Sequence, residues 1–213
     1  MSALSAVVLA GGRASRLGGV DKGGLVVGDR TLLAGVLDAV ATAGVPAARS
    51  VVVGPEAEVP AGVLRTREDP PFGGPLAALG AGLALLDGDG DVLVLACDLP
   101  RAAALVALLD GGVPDGCDGV VVRDGDGRDQ WLAARYRLGA LREAVDAVAH
   151  REPGGLTGLP VRAALRSLTL GTVTDPTGAT RDVDTPADLR AARAAATMDP
   201  DVPDPADQTE DPR

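Results

Sequence analysis

Aromatic residues are nearly missing from this 213-residue chain, which has one Phe, one Tyr and one Trp. The core must therefore be built from Leu, Val and Ala, and stacking on rows of aromatic platforms is excluded as a main binding mode. Positive charge is also scarce. A formal net charge of −10 provides no basic surface for neutralising a phosphate backbone, which excludes a nucleic-acid binder. A nucleotide remains allowed, because a few placed cations and a metal suffice for a small anion. Cys97 and Cys117 are the only cysteines and form no C-x-x-C unit. Cys97 sits in an apolar run and reads as a small buried hydrophobe. Without a disulfide framework, a reducing cytoplasm is the expected compartment. No apolar run approaches the roughly 20 residues of a bilayer span. The first cation, Arg13, follows the first apolar run, so a basic signal-peptide start is missing too. A soluble protein with no membrane partner is expected.

What is present points to one folded domain over 1–197. Short apolar runs alternate with helical patterns, the signature of a mostly parallel sheet covered by helices. The expectation is a single Rossmann-like three-layer α/β/α domain. Ala6–Ala10 reads as a strand buried on both faces, followed by a helix over Thr31–Ala43 and a strand at Ser50–Val53. Val63–Arg65 reads as a short third strand. A helix over Pro75–Leu86, with Pro75 in its first turn, leads to the strand Val92–Ala96. The next helix is expected to turn Leu105, Leu108 and Leu109 inward. Val120–Val122 and Leu132–Tyr136 flank a Gly/Asp turn as a hairpin; a helix over Leu138–Ala149 and a strand at Leu168–Val173 follow. Thr185-Pro186-Ala187-Asp188 opens a final helix as a capping box. The segment 198–213 repeats Asp and Pro and reads as a disordered acidic tail.

Three segments carry candidate chemistry. In Leu9-Ala10-Gly11-Gly12, a buried strand runs straight into two glycines, so the backbone can approach a ligand and aim N–H groups at phosphate oxygens. Arg16 and Lys22 add positive charge nearby, while G-x-x-x-x-G-K-[ST] and G-x-G-x-x-G are absent there. Asp98 stands at the carboxyl end of the strand Val92–Ala96, where ligands of open α/β sheets bind, and suits a magnesium ion. Its structural alternative is an N-cap. Asp182 and Asp184 precede the capping box, and one of the two is expected to point into the crevice as a second metal ligand. Asp87-Gly88-Asp89-Gly90-Asp91 resembles a calcium loop but lacks the required glycine, and reads as a turn. His150 reads as a helix-end surface residue and Trp131, beside Gln130, as a core residue.

These segments resemble the molybdenum cofactor guanylyltransferases. The likeness rests on Leu9-Ala10-Gly11-Gly12-x-x-x-Arg16-Leu17-Gly18-Gly19-x-Asp21-Lys22, then Glu68-Asp69 before Gly74-Pro75-Leu76. Cys97-Asp98-Leu99-Pro100 and Asp182-x-Asp184-Thr185-Pro186-x-Asp188-Leu189 follow in the same order. The resemblance covers about Ser5 to Ala196 and implies a fold of the nucleotide-diphospho-sugar transferase type. It also implies transfer of GMP from GTP to molybdenum-bound molybdopterin, with Mg²⁺ as cofactor. Leu9, Ala10, Gly11 and Gly12 would contact the nucleotide, as would Asp69 and Gly74. Lys22 and Arg16 would face its phosphates, and Asp98 and Asp184, the latter preferred over Asp182, would hold the metal. Protein partners implied are molybdenum-cofactor insertion proteins or molybdoenzyme chaperones. Two departures stand out. Gly54 replaces a frequent Asn, which removes a nucleotide contact, and Gln130-Trp131 stands where His-Pro or Gln-Pro is common, in the acceptor half. A cytidylyltransferase, a nucleotide-sugar synthase, a metal-dependent glycosyltransferase and a non-catalytic nucleotide-binding regulator remain alternatives.

Overall fold

The structure is a computed structural model that describes residues 3–11 and 22–197. Gly12, Arg16 and the acidic segment 198–213 lie outside the described residues. A seven-stranded sheet forms the middle layer. Its strands are β1 (Leu4–Leu9), β4 (Ser50–Val53), β5 (Leu64–Thr66), β6 (Asp91–Ala96), β7 (Gly119–Arg123), β8 (Asp129–Arg137) and β9 (Leu170–Thr174). They lie in the order β5-β4-β1-β6-β8-β7-β9. Only β8 runs antiparallel to its neighbours, through the hairpin it makes with β7. A register shift between Val121 and Val122 bends that hairpin.

Continuous apolar runs give strands that feed two cores, because alternate side chains leave opposite faces of the sheet. Ala6 and Val8 of β1 join Leu93 and Leu95 of β6 on one face. Val7 and Leu9 join Val92 and Val94 on the other. The first core is covered by α1 (Leu32–Thr42) and α3 (Ala102–Leu108), through Leu33, Val36, Leu37 and Leu105. The second is covered by α2 (Pro75–Leu83) and α4 (Leu138–Arg151), through Leu76, Leu79, Leu141 and Val145. The expected three-layer α/β/α architecture with a mostly parallel sheet is what forms.

Local differences have local causes. The helix expected to reach Leu86 ends at Leu83, and Leu85 and Leu86 tighten into i→i−3 bonds with Gly82 and Leu83. Leu86 stays buried all the same. In α3 the inward residues are Ala102, Leu105 and Val106, and Leu108 is only half-buried. A two-residue hairpin, β2 (Val26–Val27) with β3 (Arg30–Thr31), and the one-turn α5 (Arg162–Leu165) were too short to show periodicity. Thr31 caps α1 by accepting from the Ala34 amide at 3.2 Å. The final helix α6 (Pro186–Ala196) buries no residue. It is held against the β2–β3 hairpin in part by Arg193 Nε donating to the Val26 carbonyl at 2.9 Å. Among the described residues no helix is long and apolar enough to cross a membrane.

Candidate active site

β1 has β4 on one side and β6 on the other, all parallel, so the chain leaves β1 in one direction and returns to the far side of it. The carboxyl ends of β1, β4 and β6 therefore border the crevice that such a reversal of strand order creates. Asp98 lies two residues beyond β6. Lys22 Nζ donates to Asp98 Oδ2 at 2.9 Å and forms a second, short ion pair with Asp184 Oδ1. Residues 76 and 162 positions apart in the sequence thus meet at one ammonium group. Partial burial would lower the pKa of Lys22, but the hydrogen bonds and charges of Asp184 and Asp98 outweigh it and hold the pKa above the ordinary lysine value. Lys22 is also the only lysine in a chain whose other fixed side-chain cations are all arginine, a compositional signal that the motif reading did not use.

Carboxylate oxygens of Asp98, Asp182 and Asp184 all lie within 4.8 Å of one another. The expectation that only one of Asp182 and Asp184 enters the crevice is corrected. In an extended segment, residues two apart share a face, and it is Val183 between them that turns inward and is buried. The Val183 amide donates to the Asp98 carbonyl at 3.0 Å, which stitches this segment to the end of β6. Desolvation and then the charges of Asp184 and Asp98 push the Asp182 carboxyl above the ordinary value. Among the described residues, three carboxylates facing one ammonium leave an excess of negative charge. A hard divalent cation such as Mg²⁺, which takes carboxylate oxygen, fits this donor set.

Two further residues shape the site: Asp175, not singled out from sequence, and Glu68, which the motif included without a role. Asp175, buried just after β9, accepts four hydrogen bonds, from the amides and hydroxyls of Thr177 and Thr180, at 2.8–2.9 Å. Burial would raise its pKa, but the Thr180 and Thr177 amides, then their hydroxyls, pull it down to about 2. This knot folds the segment that delivers Asp182 and Asp184. The signal was available as an Asp with Thr at two and five positions on, a pattern suited to side-chain-to-backbone turns. Glu68, also buried, accepts from the Phe72 amide at 2.9 Å and holds the turn that leads to Gly74. Gly74 itself caps α2 at φ 91°, a conformation that favours glycine.

The nucleotide-binding candidates divide. Leu9 and Ala10 have buried side chains, the Leu9 carbonyl accepts from the Cys97 amide, and the Ala10 amide donates to Val53. Gly11 is exposed at the turn. Gly54 presses against the same turn: a Cβ at Gly54 would lie 2.8 Å from the Ala10 carbonyl carbon and 3.0 Å from the Gly11 amide nitrogen. Asp69 is exposed in the loop after β5 and makes no ion pair with the Lys22 cluster. On the other side of Asp98, a cleft of about 320 Å³ is lined by Asp98, Asp182, Gln130, Trp131, Arg162 and Thr180, among others. Trp131, expected in the core, is half-buried: it packs against the edge of the second core and also lines this cleft. His150 sits in the last turn of α4 with its ring nitrogen 2.7 Å from the Asp146 carbonyl, away from this chemistry.

The family model described as the MobA-like NTP transferase domain matches residues 6–168. No curated protein matches the chain by sequence. Molybdopterin-guanine dinucleotide biosynthesis protein A from Archaeoglobus fulgidus superposes with a TM-score of 0.63 at 18% identity, covering 91% of this chain and 98% of its own. A nucleotidyl transferase from Methanothermobacter reaches 0.69 at 22% identity, covering 92% and 98%. The 2-C-methyl-D-erythritol 4-phosphate cytidylyltransferase of Thermus thermophilus reaches 0.66 at 22% identity, covering 93% and 100%. At such identities these likenesses speak for the fold, and the family match carries the class. The chain belongs to the MobA-like NTP transferase family and is a nucleotidyltransferase.

Proposed function

We propose that this nucleotidyltransferase moves GMP from GTP onto the terminal phosphate of molybdenum-bound molybdopterin, yielding the guanine dinucleotide cofactor and pyrophosphate. The observation that carries the transfer chemistry is the meeting of Lys22, Asp98, Asp182 and Asp184 between the Gly11 turn and the Trp131 cleft. The choice of guanine and of this acceptor is supported by the sequence motifs and by the name of the Archaeoglobus relative.

An acceptor phosphate oxygen would form a new bond to the α-phosphorus as the bond to the β-phosphate oxygen breaks, so pyrophosphate leaves with that electron pair. A phosphate monoester is already a competent nucleophile, and no covalent enzyme intermediate is required. The protein's work is then positioning and charge neutralisation. Asp98 and Asp184, with Asp182 within reach, would hold Mg²⁺, which supplies Lewis-acid polarisation and a template for phosphate oxygens. Lys22 balances the carboxylates; as the triphosphate arrives, its ammonium would pass to the phosphates and follow the charge that grows on pyrophosphate. Gly11 would offer its backbone to the nucleotide, and Leu9 and Ala10, fixed by bonds to Cys97 and Val53 with their side chains in the core, would border it. Arg16 and Gly12, from the same loop, would add charge and N–H groups, and Asp69 and Gly74 would border the nucleotide from the α2 side.

The direct test is pyrophosphate release with Mg²⁺ and each of GTP, CTP, ATP and UTP, with and without molybdenum-loaded molybdopterin. Release only with GTP and that acceptor is expected. Release with another triphosphate would move the base assignment and keep the transfer chemistry. Silence in every mixture would leave a non-catalytic binder. Removing one preorganised group of this kind costs about two to three decades in rate. Lys22→Ala and Asp98→Asn are expected to lower turnover by at least that order with an unchanged circular dichroism spectrum. Near-normal turnover would remove the residue from the mechanism.

A further inference from the structure

Trp131 is an unusual expenditure in a chain with three aromatic residues. Tyr136 is fully buried and Phe72 lies exposed beneath the Arg67 guanidinium, 4.9 Å from its ring centroid. Trp131 instead lines the 320 Å³ cleft beside the carboxylate cluster, a space within the range of small-ligand pockets. Its backbone is fixed: the Trp131 carbonyl accepts from Tyr136 Oη at 3.0 Å. Its neighbour Gln130 is tied by its amide to Asp124 at 2.8 Å. The indole also packs against the second core, and a ring with one side held this way loses little freedom when a ligand stacks on it. The cleft's charge is also arranged. Asp98 and Asp182 stand on the side of the metal cluster, and Asp129 is paired with Arg123 at 2.8 Å. Arg162 is exposed at the start of α5, with no carboxylate partner among the described residues.

The position in the sheet separates this cleft from the nucleotide side. Gly11 and Gly54 follow β1 and β4, whereas Gln130 and Trp131 belong to β8, beyond β6. Asp98, following β6, stands between them. Donor and acceptor would thus approach the carboxylates from opposite sides, as an in-line displacement requires. Resting on the nucleotidyl-transfer reading, we propose that Trp131 is the platform for a planar ring of the acceptor and that Arg162 engages the acceptor's phosphate. A planar phosphorylated acceptor is then selected over a phosphate carried on a non-planar sugar or polyol.

Trp131 is the only tryptophan, so the intrinsic fluorescence of the whole protein reports on this cleft without any turnover. The chain would be titrated with neopterin monophosphate (ring and phosphate), with neopterin (ring alone) and with glycerol phosphate (phosphate alone). Saturable quenching by the first is expected, with the other two weaker by about tenfold or more. Arg162→Ala should weaken neopterin monophosphate by about tenfold and leave neopterin unchanged. Equilibrium dialysis of neopterin monophosphate should show a loss of about tenfold or more for Trp131→Ala and recovery in Trp131→Phe, which retains an aromatic face. Glycerol phosphate binding as tightly as neopterin monophosphate, or an unchanged dissociation constant in a folded Trp131→Ala, would overturn the proposal. If GTP and molybdenum-loaded molybdopterin release pyrophosphate and Trp131→Ala leaves the acceptor KM unchanged, the platform fails and the proposed function stands. Saturable, Trp131-dependent binding without pyrophosphate release from any triphosphate would sink the proposed function and keep the platform.

Discussion

Gly54 and Lys22 show two ways in which one residue sets this site. At Gly54 the decisive property is the missing side chain, because the backbone of the Ala10–Gly11 turn occupies the space a Cβ would need. The frequent Asn of the resembling guanylyltransferases would not fit here without displacing that turn. Gly54→Ala is therefore expected to cost about 1–3 kcal/mol by overpacking and to raise the KM for the triphosphate more than it lowers turnover. Thermal denaturation and steady-state kinetics check the two parts; an unchanged KM with lowered stability would limit Gly54 to packing. At Lys22 the decisive property is a compact charge. A single ammonium bridges two carboxylates from distant segments, and a planar guanidinium would impose a different geometry on both.

At the scale of elements, the segment between β9 and α6 does most to assemble the carboxylates. Asp175 ties Thr177 and Thr180, the Val183 amide reaches Asp98, and the Thr185–Asp188 capping box starts α6. Asp175→Ala would leave donors without their acceptor and is expected to cost about 2–3 kcal/mol, together with most of the turnover. The folded pKa near 2 lies below the unfolded aspartate value. Its contribution to stability is thus complete above about pH 4 and is lost as the pH falls toward about 2. Acid unfolding of the wild type against Asp175→Asn should show a difference that shrinks across that window; a constant difference would remove the charge from the argument. Thr185→Ala should cost about 1 kcal/mol, the usual worth of an N-cap, measurable as a lower urea midpoint.

For the molecule as a whole, the site exists only when the sheet is assembled, since its groups come from the loop after β1, the end of β6 and the segment after β9. A ligand that binds this assembly and not the unfolded chain must stabilise the fold. Mg²⁺ with a triphosphate at about a hundred times the dissociation constant is expected to add about 2.7 kcal/mol. The melting temperature should rise accordingly, fall back on chelation, and hardly respond in Asp98→Asn. A full response in that variant would move the metal away from Asp98.

Local and repetitive patterns were readable in the amino-acid order. The apolar runs of β1, β4 and β6, the helical spacing in α1, α2 and α4, and the capping box at Thr185 each report on neighbours a few residues away, where periodicity is a direct consequence of backbone geometry. The glycine turn and the candidates Lys22, Asp98 and Asp184 were legible through their motifs and through resemblance. That Asp182 and Asp184 share a face follows from the period of an extended segment; tertiary structure decided that this face meets Asp98, by anchoring Val183 in the core. It alone brought Trp131 into a cleft, since a hairpin strand with a register shift does not announce which face it leaves open. The Gly54 contact was equally hidden: two backbones pressed together leave no chemical signature beyond a glycine, and glycine has many uses.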